Sequence, residues 1–194
     1  MSVVGFGIPA FRSSHPSPTQ IPNGTELNCS SAIRVAFVSP TLCLTSAGKA
    51  AAGVIGRLAD RPDFEVVLLP VVRGGPCRGV YTGPTIDPIA TYLSAKVGSV
   101  VPVVSIGEAR RHLVEHEITV IVHLDPNLDP LAHALSMSRL AVVQCAFWTN
   151  PLTTGSPHID YYLASEHHEV SRSASQGSEQ IVRWVGEGRG GGQM

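Results

Sequence analysis

Charge is scarce in this sequence. Lys, Arg, Asp and Glu make up 15% of its 194 residues and leave a formal net charge of −1. The cations are scattered, with no run longer than Arg110-Arg111, so no basic surface for a phosphate backbone is encoded and nucleic acid is not an expected partner. No apolar run reaches the roughly 18–20 residues that span a bilayer, so no membrane partner is expected either. The opening "MSVVGFGIPAF" lacks a basic region, and Gly5, Gly7 and Pro9 break its apolar residues, which argues against a secretory signal. Cysteine is sparse too. Cys29, Cys43, Cys77 and Cys145 are widely spaced with no CxxC. That pattern fits reduced, mostly structural thiols better than a disulfide frame or a zinc site. The expected location is cytoplasmic, with the nucleus open, and the sequons at Asn23 and Asn28 matter only in a secreted chain.

What is abundant is apolar side chain, at 43%, enough to bury a core. Residues 1–31, rich in Ser, Pro, Thr and Asn, read as a flexible leader, and 189–194 as a disordered tail. Between them, residues 32–188 alternate apolar runs with helical segments. "AIRVAFVSP" (32–40) reads as a buried strand. "TSAGKAAAGVIGRLADRP" reads as a helix capped by Ser46, with Val54, Ile55 and Leu58 on one face and a stop near Pro62. A strand over 64–72, a turn-rich loop over 73–88, a helix ending near Gly98 and a short edge strand over 99–104 follow. Ser105 and Glu108 open a helix over 105–117 with a capping box. Strands are then predicted over 118–124, 141–148, 159–165 and 179–186, with a helix after the Asp-Pro signals at 125–130. Near-continuous apolar strands alternating with helices predict an α/β fold built on a Rossmann-like parallel sheet. Ligands of such sheets bind beyond the carboxyl ends of the strands, here the loops after Val38, Leu124, Phe147 and Leu163.

Several residues invite chemistry. Gly48-Lys49 sits where a phosphate-binding loop places its Gly-Lys, but Cys43 and Ala50 stand where a Walker A loop needs Gly and Ser or Thr. A plain helix start, or a helix start facing an anion, remains. His112 and His116 lie at i, i+4 without the HExxH pattern or a third ligand, and so read as solvated. His123, His133 and the "EHHE" at 166–169 read as structural or exposed. Asp125 and Asp129 form a candidate acid–base pair, yet each precedes proline, which favours turn and N-cap duty. The strongest candidate is "WTNPLTTGSP", 148–157. Gly155 permits a backbone conformation other residues resist, two prolines stiffen the loop, and Thr153, Thr154 and Ser156 offer hydroxyls. Asp160 is placed to tie the loop's amides together or to face a ligand. The residues alone leave a rigid turn and a site wall equally open.

Taken in order, Arg139, Ala141, Gln144, Trp148, Pro151, Thr153-Thr154-Gly155, Asp160-Tyr161 and Ser178-Glu179-Gln180 resemble the catalytic region of the protein O-GlcNAc transferase and SPINDLY family. That region runs R-x-A-P-[VI]-Q, W, G-[HY]-P, T-[ST]-G, D-Y and Y-[ST]-E. "IRVAFVSPTLCLTSAGKAAAGVIGRLADRPDFEVVLL" and "ITVIVHLDPNLDPLAHALSMSRLA" are collinear with the family's earlier elements, so the likeness covers about residues 33–188.

The resemblance implies the first lobe of a two-lobed, B-type glycosyltransferase. The donor would be UDP-N-acetylglucosamine, or GDP-fucose as in SPINDLY, and the acceptors Ser/Thr hydroxyls of a protein. No metal or other cofactor is implied. The family's second, nucleotide-binding lobe and its TPR repeats have no counterpart here, so a fragment or diverged member, inactive alone, is expected. Thr45, Lys49, Pro151, Thr153, Thr154 and Gly155 are the implied substrate-binding residues, and no catalytic residue is assigned. Thr45 stands where members often carry His, Thr149-Asn150 where they carry Gly-[His/Tyr], and Val142 where they carry Pro. The alternative is a non-catalytic Rossmann-like binding module.

Overall fold

The computed structural model describes residues 32–73, 76–149, 153–165 and 179–184. The expected leader, the tail, residues 185–188, Pro151 and the "EHHE" stretch lie outside these. Seven strands form one parallel sheet: β1 (Ile33–Ser39), β2 (Phe64–Pro70), β3 (Ser99–Val100), β4 (Val120–Leu124), β5 (Val143–Phe147), β6 (Tyr161–Ser165) and β7 (Gln180–Trp184). Their order is β3-β2-β1-β4-β5-β6-β7. The chain winds outward from β1 to β3, then returns to the other side of β1 for β4 and winds outward again. The β1–β4 junction is the topological switch point of a doubly wound sheet.

Successive strand residues point to opposite faces, and both faces are covered. On one, Val35, Phe37, Leu68, Val122 and Phe147 pack with Ala51, Ala52 and Ile55 of α1 (Ser46–Ala59) and Leu93 of α3 (Pro88–Lys96). On the other, Ala36, Val38, Leu69 and Ile121 meet Ala109 and Leu113 of α4 (Ile106–Glu115) and Leu131 and Leu135 of α5 (Pro130–Ser136). Double coverage explains why the strands read as unbroken apolar runs. The buried face of α1 differs from expectation. It is built of Gly48, Ala51, Ala52, Ile55 and Gly56, while Val54 is exposed.

The caps follow local chemistry. Thr45, one residue before the expected Ser46, caps α1 by accepting from the Gly48 N–H. Asp87 caps α3, with Pro88 at its first position, where a missing N–H costs nothing. Ser105 accepts from Glu108 N–H, and the Glu108 carboxylate reaches back to Val104 N–H, one residue short of the usual box. Pro70 ends β2 inside the sheet. Its carbonyl accepts from Val103, so its ring nitrogen faces the short β3 flank, and the β1 side keeps the Val71 N–H to Ser39 bond.

Two expectations fail in one place. The stretch 73–88 contains a short helix, α2 (Arg78–Thr82), and Cys43 is joined to Cys77 by a disulfide. The parallel crossover carries residue 77 back over the loop that leaves β1, so two thiols 34 residues apart meet. Spacing alone does not reveal that. In the chain-entropy account, a closed loop of this size stabilises the fold by about 4 kcal/mol. Cys145 is buried and free, and burial first, then the nearby Asp160 charge, pushes its thiol up to about 11.

Gly48 is fixed by space. A Cβ there would lie 2.0 Å from the Cys43 carbonyl oxygen and 2.6 Å from that of Thr41. Gly53, on the exposed side of α1, has nothing within 4 Å. Gly48→Ala is therefore expected to lower unfolding free energy by about 3 kcal/mol, and Gly53→Ala to raise it by about 0.5–1 kcal/mol. Urea denaturation of the two variants checks this, and equal effects would be wrong for both.

Candidate functional site

The loop leaving β1 at the switch point is held at each residue from Thr41 to Thr45. Thr41 Oγ donates to Asp125 Oδ2 at 2.7 Å, joining the end of β1 to the end of β4. Ser39 Oγ lies 2.9 Å from the same hydroxyl and accepts from Thr41 N–H. Since the Thr41 proton goes to Asp125, Ser39 is the donor of that pair. The Leu42 carbonyl accepts from Tyr81 hydroxyl, Cys43 is covalently tied, and Leu44 N–H donates to Asp87 Oδ2 at 2.7 Å. Thr45 donates to the Thr41 carbonyl and accepts from Gly48. Ser39, Thr41 and Asp125 are buried.

Asp125 has left-handed dihedrals, φ 52 and ψ 50. For a non-glycine residue directly before proline this is unfavourable backbone, held by the Thr41 bond and by the 3-10 turn Pro126–Leu128 that follows. Asp129 is the α5 N-cap, accepting from Leu131 and Ala132. The two aspartates thus serve different turns, as their prolines suggested.

Residues 153–160 lead into β6 and form no helix themselves. Thr153 and Thr154 both donate their hydroxyls to Glu179, which also accepts from Thr154 N–H at 2.8 Å. The Thr153 carbonyl receives a long 3.4 Å contact from Asn127 in the turn after β4. Gly155 takes φ 65, and a Cβ there would meet nothing within 4 Å, so the dihedral alone calls for glycine. Ser156 is fully buried and donates to the Ser136 carbonyl at 2.7 Å. Burial raises the Glu179 pKa, but the Thr154 and Thr153 donors outweigh it and leave the carboxyl below its ordinary value.

The remaining motif residues form a lock at the amino ends of β5 and β6. Arg139 makes two hydrogen bonds to Asp160, 2.6 and 2.9 Å long, and Asp160 Oδ2 also accepts from Gln144 N–H. The fully buried Gln144 side chain accepts from Leu140 N–H and donates to the Ser138 and His158 carbonyls. Asp160 thus ties the start of β5 to Arg139.

The implied site residues fall into two groups. Thr45 and the exposed Lys49 lie at the end of the β1 loop and in the first turn of α1, while Thr153, Thr154 and Gly155 sit beside Glu179. Among the described residues no hydrogen bond links the groups directly. The path between them runs through Thr41, Asp125 and Asn127. Sequence reasoning matched Glu179 but not its partnership with the two threonines, and it passed over Thr41 and Asp87, which carry no recognisable spacing. His112 and His116 stack at 6.3 Å, His133 is exposed, and no group of three or more metal-ligating side chains occurs among the described residues. Nor is any helix there long and apolar enough to cross a membrane.

The fold is a Rossmann-like, doubly wound α/β lobe, as expected. The structure is similar to part of a Thermobaculum terrenum O-GlcNAc transferase, solved as a mutant, with 24% identity and a TM-score of 0.63. The match covers 78% of this chain and 27% of that one. No family model and no curated protein matches the sequence. The shared property is the fold.

His123 shares the Ile121 face of β4, is fully buried, and has no hydrogen-bond partner on either ring nitrogen. Burial pushes its pKa down to about 4 from the ordinary 6.5. The unfolded chain takes up this proton as pH falls below 6.5, whereas the native chain does so only near 4. Stability is thus complete above pH 6.5, and about 3 kcal/mol is lost by pH 4. In His123→Leu, unfolding free energy measured against pH is expected to lose this acid slope. A slope identical to the parent's would assign it to other groups.

Glu179 acts in the same direction. Its depressed pKa contributes stability above the ordinary carboxyl value of 4.5 that is lost as pH falls through the folded value. Glu179→Ala strands three donors and is expected to cost about 3 kcal/mol and to speed amide exchange at Thr154 and Ser156. Unchanged exchange there would mean that Glu179 does not hold the loop.

Proposed function

We propose that this chain is the first lobe of a glycosyltransferase of the O-GlcNAc transferase type, using UDP-N-acetylglucosamine as donor and a protein Ser/Thr hydroxyl as acceptor. The observation that carries the reading is the Thr153-Thr154-Gly155 segment. Its order with Arg139, Gln144, Asp160 and Glu179 is the family's, and the structure builds those residues into one braced connection between β5 and β6.

In this reading Thr45 and Lys49 line one side of the donor cleft, and Pro151, Thr153, Thr154 and Gly155 the other. The acceptor oxygen attacks the anomeric carbon as the bond to UDP breaks. Charge gathers on the leaving diphosphate, where the Lys49 ammonium and free amides stabilise it. The lobe's contribution is placement, since its edge is clamped before substrate arrives. Thr45 supplies no base near neutral pH, because a threonine hydroxyl does not exchange its proton there as imidazole does. That observation also favours a second reading, a lobe that binds sugar nucleotide without turnover. The chain spans 27% of the transferase it resembles, so activity of the whole assembly belongs to the proposal.

Titration of the 15N-labelled chain with UDP-N-acetylglucosamine tests it. Amide shifts are expected at Thr45, Lys49, Thr153, Thr154 and Gly155, with small changes in β3 and α4. Shifts absent from all five up to millimolar ligand, or spread evenly over the surface, would rule out this site. UDP release with an acceptor peptide then separates transfer from binding alone.

A further inference from the structure

The disulfide joins the β1 loop to a segment that crosses it. Residues 76–87 cross that loop as a strap with three attachments: the Cys43–Cys77 bond, the Tyr81 hydroxyl on the Leu42 carbonyl, and the Asp87 carboxylate on Leu44 N–H. Apart from Cys77 itself and Asp87, the strap has no buried residue. Its helix α2 buries none and has no side-chain cap, whereas α1 buries five. Half-buried Tyr81 does pack against the sheet core, so opening the strap exposes that ring and the Cys77 side chain rather than a whole helix face. The loop beneath it is crowded, with the Cys43 carbonyl directly over Gly48 at the start of α1.

We propose that Cys43–Cys77 is a thiol–disulfide exchange site, and that its substrate class is a reduced dithiol donor. Both sulfur-bearing residues are buried, at 3% and 0% exposure, so exchange follows strap opening. A donor thiolate attacks one sulfur, the S–S bond breaks, and the released thiolate takes a proton. The donor's second thiolate then displaces the mixed disulfide. Two electrons and two protons pass to the pair, leaving Cys43 and Cys77 as thiols and the donor as a disulfide. Reduction removes the covalent attachment between strap and loop, so residues 42–45 loosen while the sheet, held by its ladders and two core layers, stays. Cys145 is in its sheet core with a raised thiol pKa and does not compete. The proposal concerns the state of the β1 loop and stands whichever ligand the edge takes.

The test uses the full 194-residue chain. After equilibration in a glutathione redox buffer, the protein is denatured, alkylated and peptide-mapped. A Cys43–Cys77 linked peptide with Cys145 alkylated is expected, and alkylation of both Cys43 and Cys77 under the most oxidising condition overturns the proposal. Hydrogen exchange is then compared with and without dithiothreitol. Peptides covering 41–45 and 76–83 are expected to exchange about tenfold faster or more on reduction, with β1 and β4 changed by less than about twofold. No change in the loop overturns the proposal, and so does loosening of the whole sheet, which makes the bond a structural staple. Cys77→Ser and Cys43→Ser, without reductant, are each expected to reproduce the reduced pattern.

Discussion

The Thr41 hydroxyl and the Asp125 carboxylate meet at the only junction where the strand order reverses. To one side the chain winds through β2 and β3, to the other through β5, β6 and β7. Backbone ladders join β1 to β4 along their length, and at the carboxyl ends of the strands the buried 2.7 Å Thr41–Asp125 bond ties the two halves together. It fixes where the β1 loop begins, and so where Thr45 caps α1. It also steadies the left-handed turn at Asp125, which aims Asn127 toward the Thr153 carbonyl. The strain at Asp125 and the clamps on residues 41–45 belong to one arrangement, an edge stiffened before any ligand reaches it.

Gln144 and Asp160 perform the same duty at the opposite ends of the strands. Polar groups fix where the described part of the β5–β6 connection lies, with Gln144 measuring from Ser138 to His158 and Asp160 receiving Arg139. A buried amide with three partners specifies geometry where an apolar side chain would only fill space. The motif that resembles the transferase family therefore divides. Arg139, Gln144 and Asp160 preserve architecture, and Thr153, Thr154 and Gly155 shape a surface.

Much of the sheet was legible because its cause is local. Strands such as Ile33–Ser39 and Val120–Leu124 announce themselves as apolar runs, since both faces of a parallel sheet are buried. Caps at Ser105 and Asp129 follow from short-range hydrogen bonding, so reading them needs only a few residues. The shift from Ser46 to Thr45 is the usual uncertainty between adjacent hydroxyls. The misses share a different cause. The Cys43–Cys77 bond, the Tyr81 and Asp87 attachments and the Glu179 bracket join residues far apart in the chain, and nothing in their own neighbourhoods marks them. Thr153 and Thr154 were legible as special but not as Glu179's donors, because their partner lies 25 residues away across another strand.

The position of β1 in the middle of the sheet also has a meaning in time. The chain is made from its amino end, and β1, α1 and β2 emerge before the other neighbour of β1 exists. From the completion of β2 at Pro70 until Val120 appears, the central strand has one edge paired and one edge bare. Four of the seven described strands must then be added on that bare side, through non-local parallel pairings, the slowest kind of contact for a chain to find. During that interval the molecule is an incomplete sheet with its central strand open along one side, the condition under which a nascent chain most needs shelter from its neighbours.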